Sequence, residues 1–347
     1  MAWVAQAPTA GEPGLRHHHQ GSSMNVKAVL KAAIGAAALA TSLGAHAEWP
    51  ERPITLVVPW PPGGGVDAAA RVAGPMLAKQ LGQQVIVVNR PGATGSIGAE
   101  SVAKADPDGY TLLWSSLTSH AIYASLYERS TPFDLEKSFT PVSVFGSIPF
   151  VIVVNPGVKA QSVQQLVALA KARPGAMTFA SSGNGSVQHL AGEMFKRAAG
   201  VDLLHVPYKG ISPSLLDLVG GQVNMSIESL AATLPHIRSQ KLRALAVASP
   251  ERISLLPDVP TATEAGLKGY DVSAKLFALA PAGTPAPIID KLDRAFKQVF
   301  SDKAVQEPLL AQSIITRYAS PAESARLIHD ELATFRTVIR EANIRPE

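Results

Sequence analysis

Residues 54–89 read ITLVVPWPPGGGVDAAARVAGPMLAKQLGQQVIVVN, and this stretch decides the fold class. Ile54–Trp60 is a short apolar run of buried-strand type. A proline and glycine loop follows. From Asp67 to Leu81 apolar residues recur at helical spacing, and Gly82 supplies a stop signal. Gln84–Asn89 is a second apolar run of strand length. Arg90-Pro91-Gly92 turns the chain, Ser96–Lys104 has the pattern of a short helix, Asp106-Pro107-Asp108-Gly109 turns it again, and Thr111–Ser116 is a third strand. Strand, helix, strand, helix, strand with short connections predicts an α/β protein with a mostly parallel sheet.

The alternation continues downstream. Val142–Phe145 and Val151–Val154 are predicted strands, Val163–Lys171 a helix, and Met177–Ala180 a strand that enters Ser181-Ser182-Gly183-Asn184-Gly185-Ser186. Val187–Ala199 is the helix after that loop. Leu203–Val206, Val223–Ile227 and Ala244–Ala248 are further strands with helices between them, and Val272–Ala280 is an extended apolar segment. Ile288–Phe300 and Ala322–Ala342 are long amphipathic helices. No repeat of fixed period is present. A strand, a glycine-bearing loop and a helix nevertheless recur in both halves, which predicts two similar α/β lobes.

At the other end of the chain, residues 1–23 are low in information and include His17-His18-His19. Met24 opens a basic start, Ala32–Gly44 is uncharged and Ala-rich, and Ala45-His46-Ala47 has a small-residue cleavage pattern. Residues 24–47 therefore read as a secretory signal peptide cleaved after Ala47, with residues 1–23 an upstream extension. The apolar stretch is shorter than the ~20 residues needed to span a bilayer. Of 347 residues 46% are hydrophobic and 17% charged, so the chain can bury a core. The net charge of +4 is thin, and Lys and Arg never cluster, which leaves no footprint for nucleic acid. Cysteine is absent, which excludes disulfides, iron–sulfur clusters and thiol catalysis.

Two loops carry the candidate chemistry. The first, Pro59–Asp67, joins a strand to a helix. Its Gly63-Gly64-Gly65 run permits close approach of backbone to a ligand, the N–H groups opening the helix attract anions, and Asp67 sits where an N-cap or first-turn acid belongs. The second, Ser181–Ser186, offers three hydroxyls, an amide and two glycines, which suits a carboxylate cradle without a fixed cation. Enzyme signatures are missing: there is no Gly-x-Ser-x-Gly and no phosphate-binding Gly-Lys-Ser/Thr. His189 and Glu193 share a helix face, but no third metal ligand accompanies them, so His189 reads as a packed histidine. His120, His205 and His329 have no partner legible in sequence, and Tyr208-Lys209-Gly210 follows a strand as either a turn or a cleft wall.

Taken together, WPERPITLVVPWPPGGGVDAAAR, VVNRPGATGSIGAESVAKADPDGYTLL, PFDLEKSFTPVSVF, FASSGNGSVQHLAGEMFK, HVPYKG, LVGGQVN, KLRALAVASPERISLLPDVPTATEAG and APAGTP resemble, in order, the periplasmic solute-binding proteins of tripartite tricarboxylate transporters, the Bug family. The resemblance implies a type II periplasmic binding protein fold, two α/β lobes joined by two crossover strands. Residues 48–147 and 276–347 would form lobe 1 and residues 148–275 lobe 2. It also implies a carboxylate held between the two loops, with Gly64, Gly65, Val66 and Asp67 on one side and Ser181, Ser182, Asn184 and Ser186 on the other. Tyr208 joins these as a candidate. Three positions depart from the family pattern. Val66 replaces a common threonine, Glu228-Ser229 stands where Asp often precedes Ser, and Ala274-Lys275-Leu276-Phe277 stands where a Trp and a small residue are usual. Lys275 is either a solvated hinge lysine or a partner for a second carboxylate.

The function expected from this is capture of a small organic acid, a mono- or dicarboxylate with an aliphatic or aromatic body, in the periplasm. A monomeric carrier would deliver it to a two-subunit membrane permease, with no bond chemistry, cofactor or metal. A ligand sensor docking a signalling receptor is the first alternative. An exported serine hydrolase using Ser181 or Ser186 with His189 as base is the second.

Overall fold

Parallel strands hand over to helices throughout the computed structural model, which describes residues 49–346. The expected signal peptide, its cleavage point and residues 1–23 lie outside the described residues. In chain order the elements are β1 (Ile54–Val58), α1 (Gly65–Leu81), β2 (Val85–Asn89), α2 (Ser96–Ala103), β3 (Thr111–Ser116), α3 (Leu117–Leu126) and β4 (Phe139–Val154). Then come α4 (Val163–Ala172), β5 (Thr178–Ser181), α5 (Val187–Ala199), β6 (Leu204–Pro207), α6 (Ile211–Gly220), β7 (Met225–Ser229), α7 (Leu230–Arg238) and β8 (Arg243–Val247). The chain closes with β9 (Ser273–Pro281), α8 (Ala286–Ser301), α9 (Lys303–Ala311), β10 (Ile315–Ala319) and α10 (Pro321–Glu341).

The sheet runs β2-β1-β3-β9-β4-β7-β5-β6, with β8 and β10 also paired to β4. Strands β1, β2 and β3 are mutually parallel, as are β5, β6 and β7. The expectation of a mostly parallel sheet needs correcting at its centre, because every pair made by β4 or β9 is antiparallel. The two strands expected at Val142–Phe145 and Val151–Val154 are one strand. Its first part pairs with β9 from Phe139↔Pro281 to Pro149↔Ser273, and its second part pairs with β7 and β8. β4 and β9 thus pass between two α/β lobes as paired crossover strands.

Each lobe has its own core. In the first, Trp114 lies against Phe145, Phe296 and Phe300, with ring centroids 4.1, 5.9 and 6.1 Å away. These four rings are wholly buried, the kind of aromatic cluster that dominates core energetics. Helix α8 reaches it through Ile289, Leu292, Phe296, Val299 and Phe300, one face of a helix. In the second lobe Phe179, Phe195, Ile152 and Ile227 are buried together, and the Tyr270 hydroxyl donates to the Ala191 carbonyl at 2.7 Å.

Local signals account for the helix ends. α1 stops at Gly82, whose φ of 72° is left-handed and whose N–H bonds the Ala78 carbonyl. Ser186 caps α5 by accepting from the His189 N–H, and Gly200 closes it. No described helix is long and apolar enough to cross a membrane.

Candidate functional site

The C-terminal ends of β1, β3, β5, β6 and β7 all open onto one cleft of about 740 Å³, where Gly65, Ser119, Ser186, Ile211 and Ser229 mark the starts of α1, α3, α5, α6 and α7. Ligands of open α/β sheets sit outside the carboxyl ends of strands, and this volume is that of a small-molecule site. Among the described residues that line it, none is Asp, Glu, Lys, Arg or His. Helix N-termini open onto it, and their first N–H groups lack intrahelical acceptors. Gly64 and Gly210 are N-caps with no side-chain cap, so α1 and α6 begin without a competing acceptor.

The first loop is held from behind by one ionised group. Asp67 is buried and accepts from the Gly63 N–H at 2.9 Å, from Arg71 at 2.9 and 3.0 Å, and from the Asn89 amide at 2.9 Å. The Arg71 hydrogen bonds lead in holding its carboxyl down to about 2, against an opposing push from burial. Asn89 also donates to the Trp60 carbonyl, which ties the loop to β2. Asp67 points into this network and is absent from the cleft lining, as are Gly64 and Val66. Gly65 does line the cleft. A Cβ there would stand 2.8 Å from Ile148 Cδ1, so β4 closes directly over the start of α1.

The second loop is held by hydroxyl, imidazole and amide groups, with one carboxylate behind them. The Ser181 hydroxyl lies 2.6 Å from His205 Nε2 and is wholly buried. The rings of His205 and His189 stack at 3.8 Å, and His189 Nδ1 accepts the Gly185 N–H at 3.1 Å. Burial lowers both imidazoles, His205 to about 4, with the neighbouring His189 adding to the effect there. Ser182 donates to Gln188 Oε1 at 2.9 Å, and Gln188 Nε2 donates to both Glu228 oxygens at 2.9 and 3.1 Å. The Ser229 N–H completes that carboxylate at 2.7 Å. Burial pushes the Glu228 carboxyl up, opposed by the hydrogen bonds from Gln188 and Ser229. Ser182, Asn184, Gly185 and Ser186 reach the cleft; Ser181 and Glu228 stay behind it.

Two glycine loops facing each other across an uncharged cleft, each ahead of a helix, match a known group of proteins. Residues 69–344 match the family described as the tripartite tricarboxylate transporter family receptor. The chain belongs to this receptor family. BugT of Bordetella pertussis is 40% identical over 318 residues, 92% of this chain and 97% of that protein. Among solved structures, the periplasmic binding protein BugD is 32% identical with a TM-score of 0.69, over 86% of this chain and 100% of its own. An R. palustris protein solved with adipate is 34% identical with a TM-score of 0.73, over 86% and 100% of the two chains. MatC of Rhodopseudomonas palustris, solved with bound malate, is 32% identical with a TM-score of 0.68, over 84% and 100%.

Within this receptor the remaining candidates lie away from the cleft wall. Tyr208 gives its hydroxyl to Asp217 at 2.7 Å, and burial with that contact pushes the phenol up to about 12. Its main-chain N–H bonds the Ser181 carbonyl, so it braces the second loop from outside. Lys275 pairs with Glu331 at 2.5 Å, which assigns its charge to α10 and leaves only its neighbour Ala274 on the cleft wall. His189 is not set against either serine hydroxyl as a base: Ser186 accepts from its main chain, and its ring serves Gly185. His329 pairs with Glu136, and His120 is buried with neither ring nitrogen partnered. No cluster of three metal-ligating side chains occurs among the described residues.

The wall that sequence reading missed is α3. Ser119, Ile122, Tyr123, Leu126 and Tyr127 line the cleft from one face of that helix and its end. The signal was present as i, i+3, i+4, i+7, i+8 spacing. Leu117 and Ala121 are apolar too, because α3 is also buried on its other side, and the stripe does not stand out. Trp60, whose Nε1 donates to Ser115 at 2.9 Å, also lines it, with Thr94, Ala231 and Ala232 and with Ile148 and Phe150 of β4.

Proposed function

We propose that this receptor is a periplasmic solute-binding protein that captures one small carboxylate between its lobes. Residues 48–147 and 276–347 form the first lobe in this reading, and residues 148–275 the second. The observation that carries it is the convergence of helix N-termini on a cleft with no charged lining residue. A carboxylate there accepts hydrogen bonds from the first-turn N–H groups of α1 at Gly65 and Val66 and of α5 at Val187 and Gln188. Asn184 and the Ser186 hydroxyl add side-chain contacts. The N–H groups of Gly63, Gly183, Gly185 and Ser186 are already committed within the loops, so they shape the cradle rather than fill it. The adipate and malate bound by family relatives support the ligand class.

Binding proceeds by lobe closure. Contacts to both loops exist only when the lobes meet, so the ligand favours the closed state by the free energy of those contacts. The closed carrier, acting as a monomer, then presents its ligand to a two-subunit membrane permease.

Thermal unfolding of the ligand-freed protein across a panel of small carboxylates tests the reading. A hundredfold excess over Kd stabilises the fold by about 2.7 kcal/mol, a rise of several degrees in Tm. Gly65→Val, which places bulk in front of the α1 N–H groups, and Ser186→Ala are expected to reduce that rise. A panel without any shift, or shifts unchanged in both variants, contradicts the site.

A further inference from the structure

We infer that the cleft selects a hydroxy acid, and that the chain of side chains Glu228, Gln188 and Ser182 recognises the ligand's hydroxyl. The inference rests on the carboxylate reading above. It adds an acceptor to a site otherwise built from donors.

The relay starts behind the second loop. Glu228 on β7 is wholly buried. Both its oxygens accept from Gln188 Nε2, at 2.9 and 3.1 Å, and the Ser229 N–H adds a bond of 2.7 Å. Turning the Gln188 amide over would set its oxygen against that carboxylate, acceptor against acceptor. The Gln188 nitrogen is therefore committed to Glu228, and its oxygen faces Ser182. Ser182 has one hydroxyl proton and gives it to Gln188 Oε1 at 2.9 Å. Gln188 is itself buried, so withdrawing that proton strands a buried acceptor, at its full desolvation penalty.

Ser182 lines the cleft, and with its proton committed its side chain offers a ligand lone pairs alone. A ligand hydroxyl donates there, and a bare methylene does not. Gln188 sets the position, because its main-chain N–H is one of the groups offered to the carboxylate while its side chain reaches Ser182. Acceptor and anion site thus lie within the span of one side chain, which places the hydroxyl on the α or β carbon of the acid. An ammonium at that carbon would also donate. It is, however, a cation beside the N-termini of α1 and α5, which favour anions, and no Asp or Glu is among the described residues that line the cleft.

Calorimetric titration of the ligand-freed protein with pairs of acids that differ by one hydroxyl tests this: malate and succinate, 3-hydroxybutyrate and butyrate, mandelate and phenylacetate. In each pair that binds, the better enantiomer of the hydroxy acid is expected to be held about tenfold tighter than its partner. Glu228→Gln keeps the shape of the side chain and reverses the relay. The new amide donates to Gln188 Oε1, Gln188 Nε2 donates to Ser182, and the Ser182 proton turns to the cleft. Acids without the hydroxyl are then expected to gain affinity, and the preference to fall to about twofold or less. Ser182→Ala lowers the preference without touching the buried carboxylate. Equal binding within the pairs by the unaltered protein, or a preference undiminished in both variants, overturns the inference while carboxylate binding stands. No binding of any of these acids by the folded protein overturns both.

Discussion

The loop after β1 and the loop after β5 have the same form, strand to glycines to helix, yet they are fixed by different chemistry. The first depends on one buried carboxylate, Asp67, with a guanidinium, an amide and a main-chain N–H around it. The second depends on stacked imidazoles and a chain of hydroxyl, amide and carboxylate. The lesson is that the cleft needs two rigid arrays of N–H groups and is indifferent to how each is braced. The braces differ in where along the pH scale they fail.

The largest effect is expected from removing the first brace. Asp67→Ala leaves the Gly63 N–H and the Asn89 amide without their acceptor and should lower stability by about 2 kcal/mol. Urea unfolding measures this, and ligand affinity should fall with it. Next is Gly185→Ala in the second loop. Gly185 has a φ of 72°, and a Cβ would stand 2.6 Å from Leu126 Cδ1. The left-handed backbone disfavours alanine by about 1 kcal/mol. Leu126 must also swing into the cleft, so titration should show an affinity loss of about tenfold, the larger part of its effect being on binding.

The third prediction concerns pH. A histidine whose native pKa lies below its ordinary 6.5 is neutral in the fold while the unfolded chain gains a proton. Stability therefore falls as pH drops from 6.5 toward about 4, where His205 itself titrates. Glu193 and Lys196, on the same helix as His189, act on it with opposite sign. Asp67 acts in the same direction over a lower range: its contribution is present above 3.8 and is lost as pH falls through about 2. Between pH 6.5 and 4, NMR should show the main-chain amides of residues 182–186 responding while those of 63–65 stay still. His120, lowered to about 4 by burial alone, also destabilises the fold over this range, so site-resolved signals are needed rather than a melting curve. The smallest effect belongs to Val66→Thr. The Val66 side chain packs against the first core while its carbonyl takes the Trp114 indole at 3.1 Å. Restoring a hydroxyl should change stability by less than about 0.5 kcal/mol.

Much of this was legible in the chain. Ile54–Asn89 announced strand, loop and helix because β-branched runs, helical spacing and Gly82 all agree there. Ser181–Ser186 was legible as a loop before a capped helix. The crossover strands were harder. β4 is broken in sequence by Gly146 and Pro149, so it reads as two strands, and only pairing with β9 makes it one. α3 was missed because both of its faces are covered, one by the core and one forming the cleft. α9 was missed because a single residue, Asp302, separates it from α8. Asp67 and Ser181 were read as ligand contacts because their types fit a cradle. The Asp67 side chain turns to Arg71, one helical turn on, and to Asn89 of β2, and that of Ser181 turns to His205, 24 residues away.

Titration of the ligand-freed protein with hexanoate and with hexanamide tests the central claim most directly. The two share shape and apolar body, and only the acid carries the charge that helix N-termini attract. Saturable binding of hexanoate with little or none of hexanamide is the expected result. Equal binding of the two would contradict an anion site built from main-chain N–H groups.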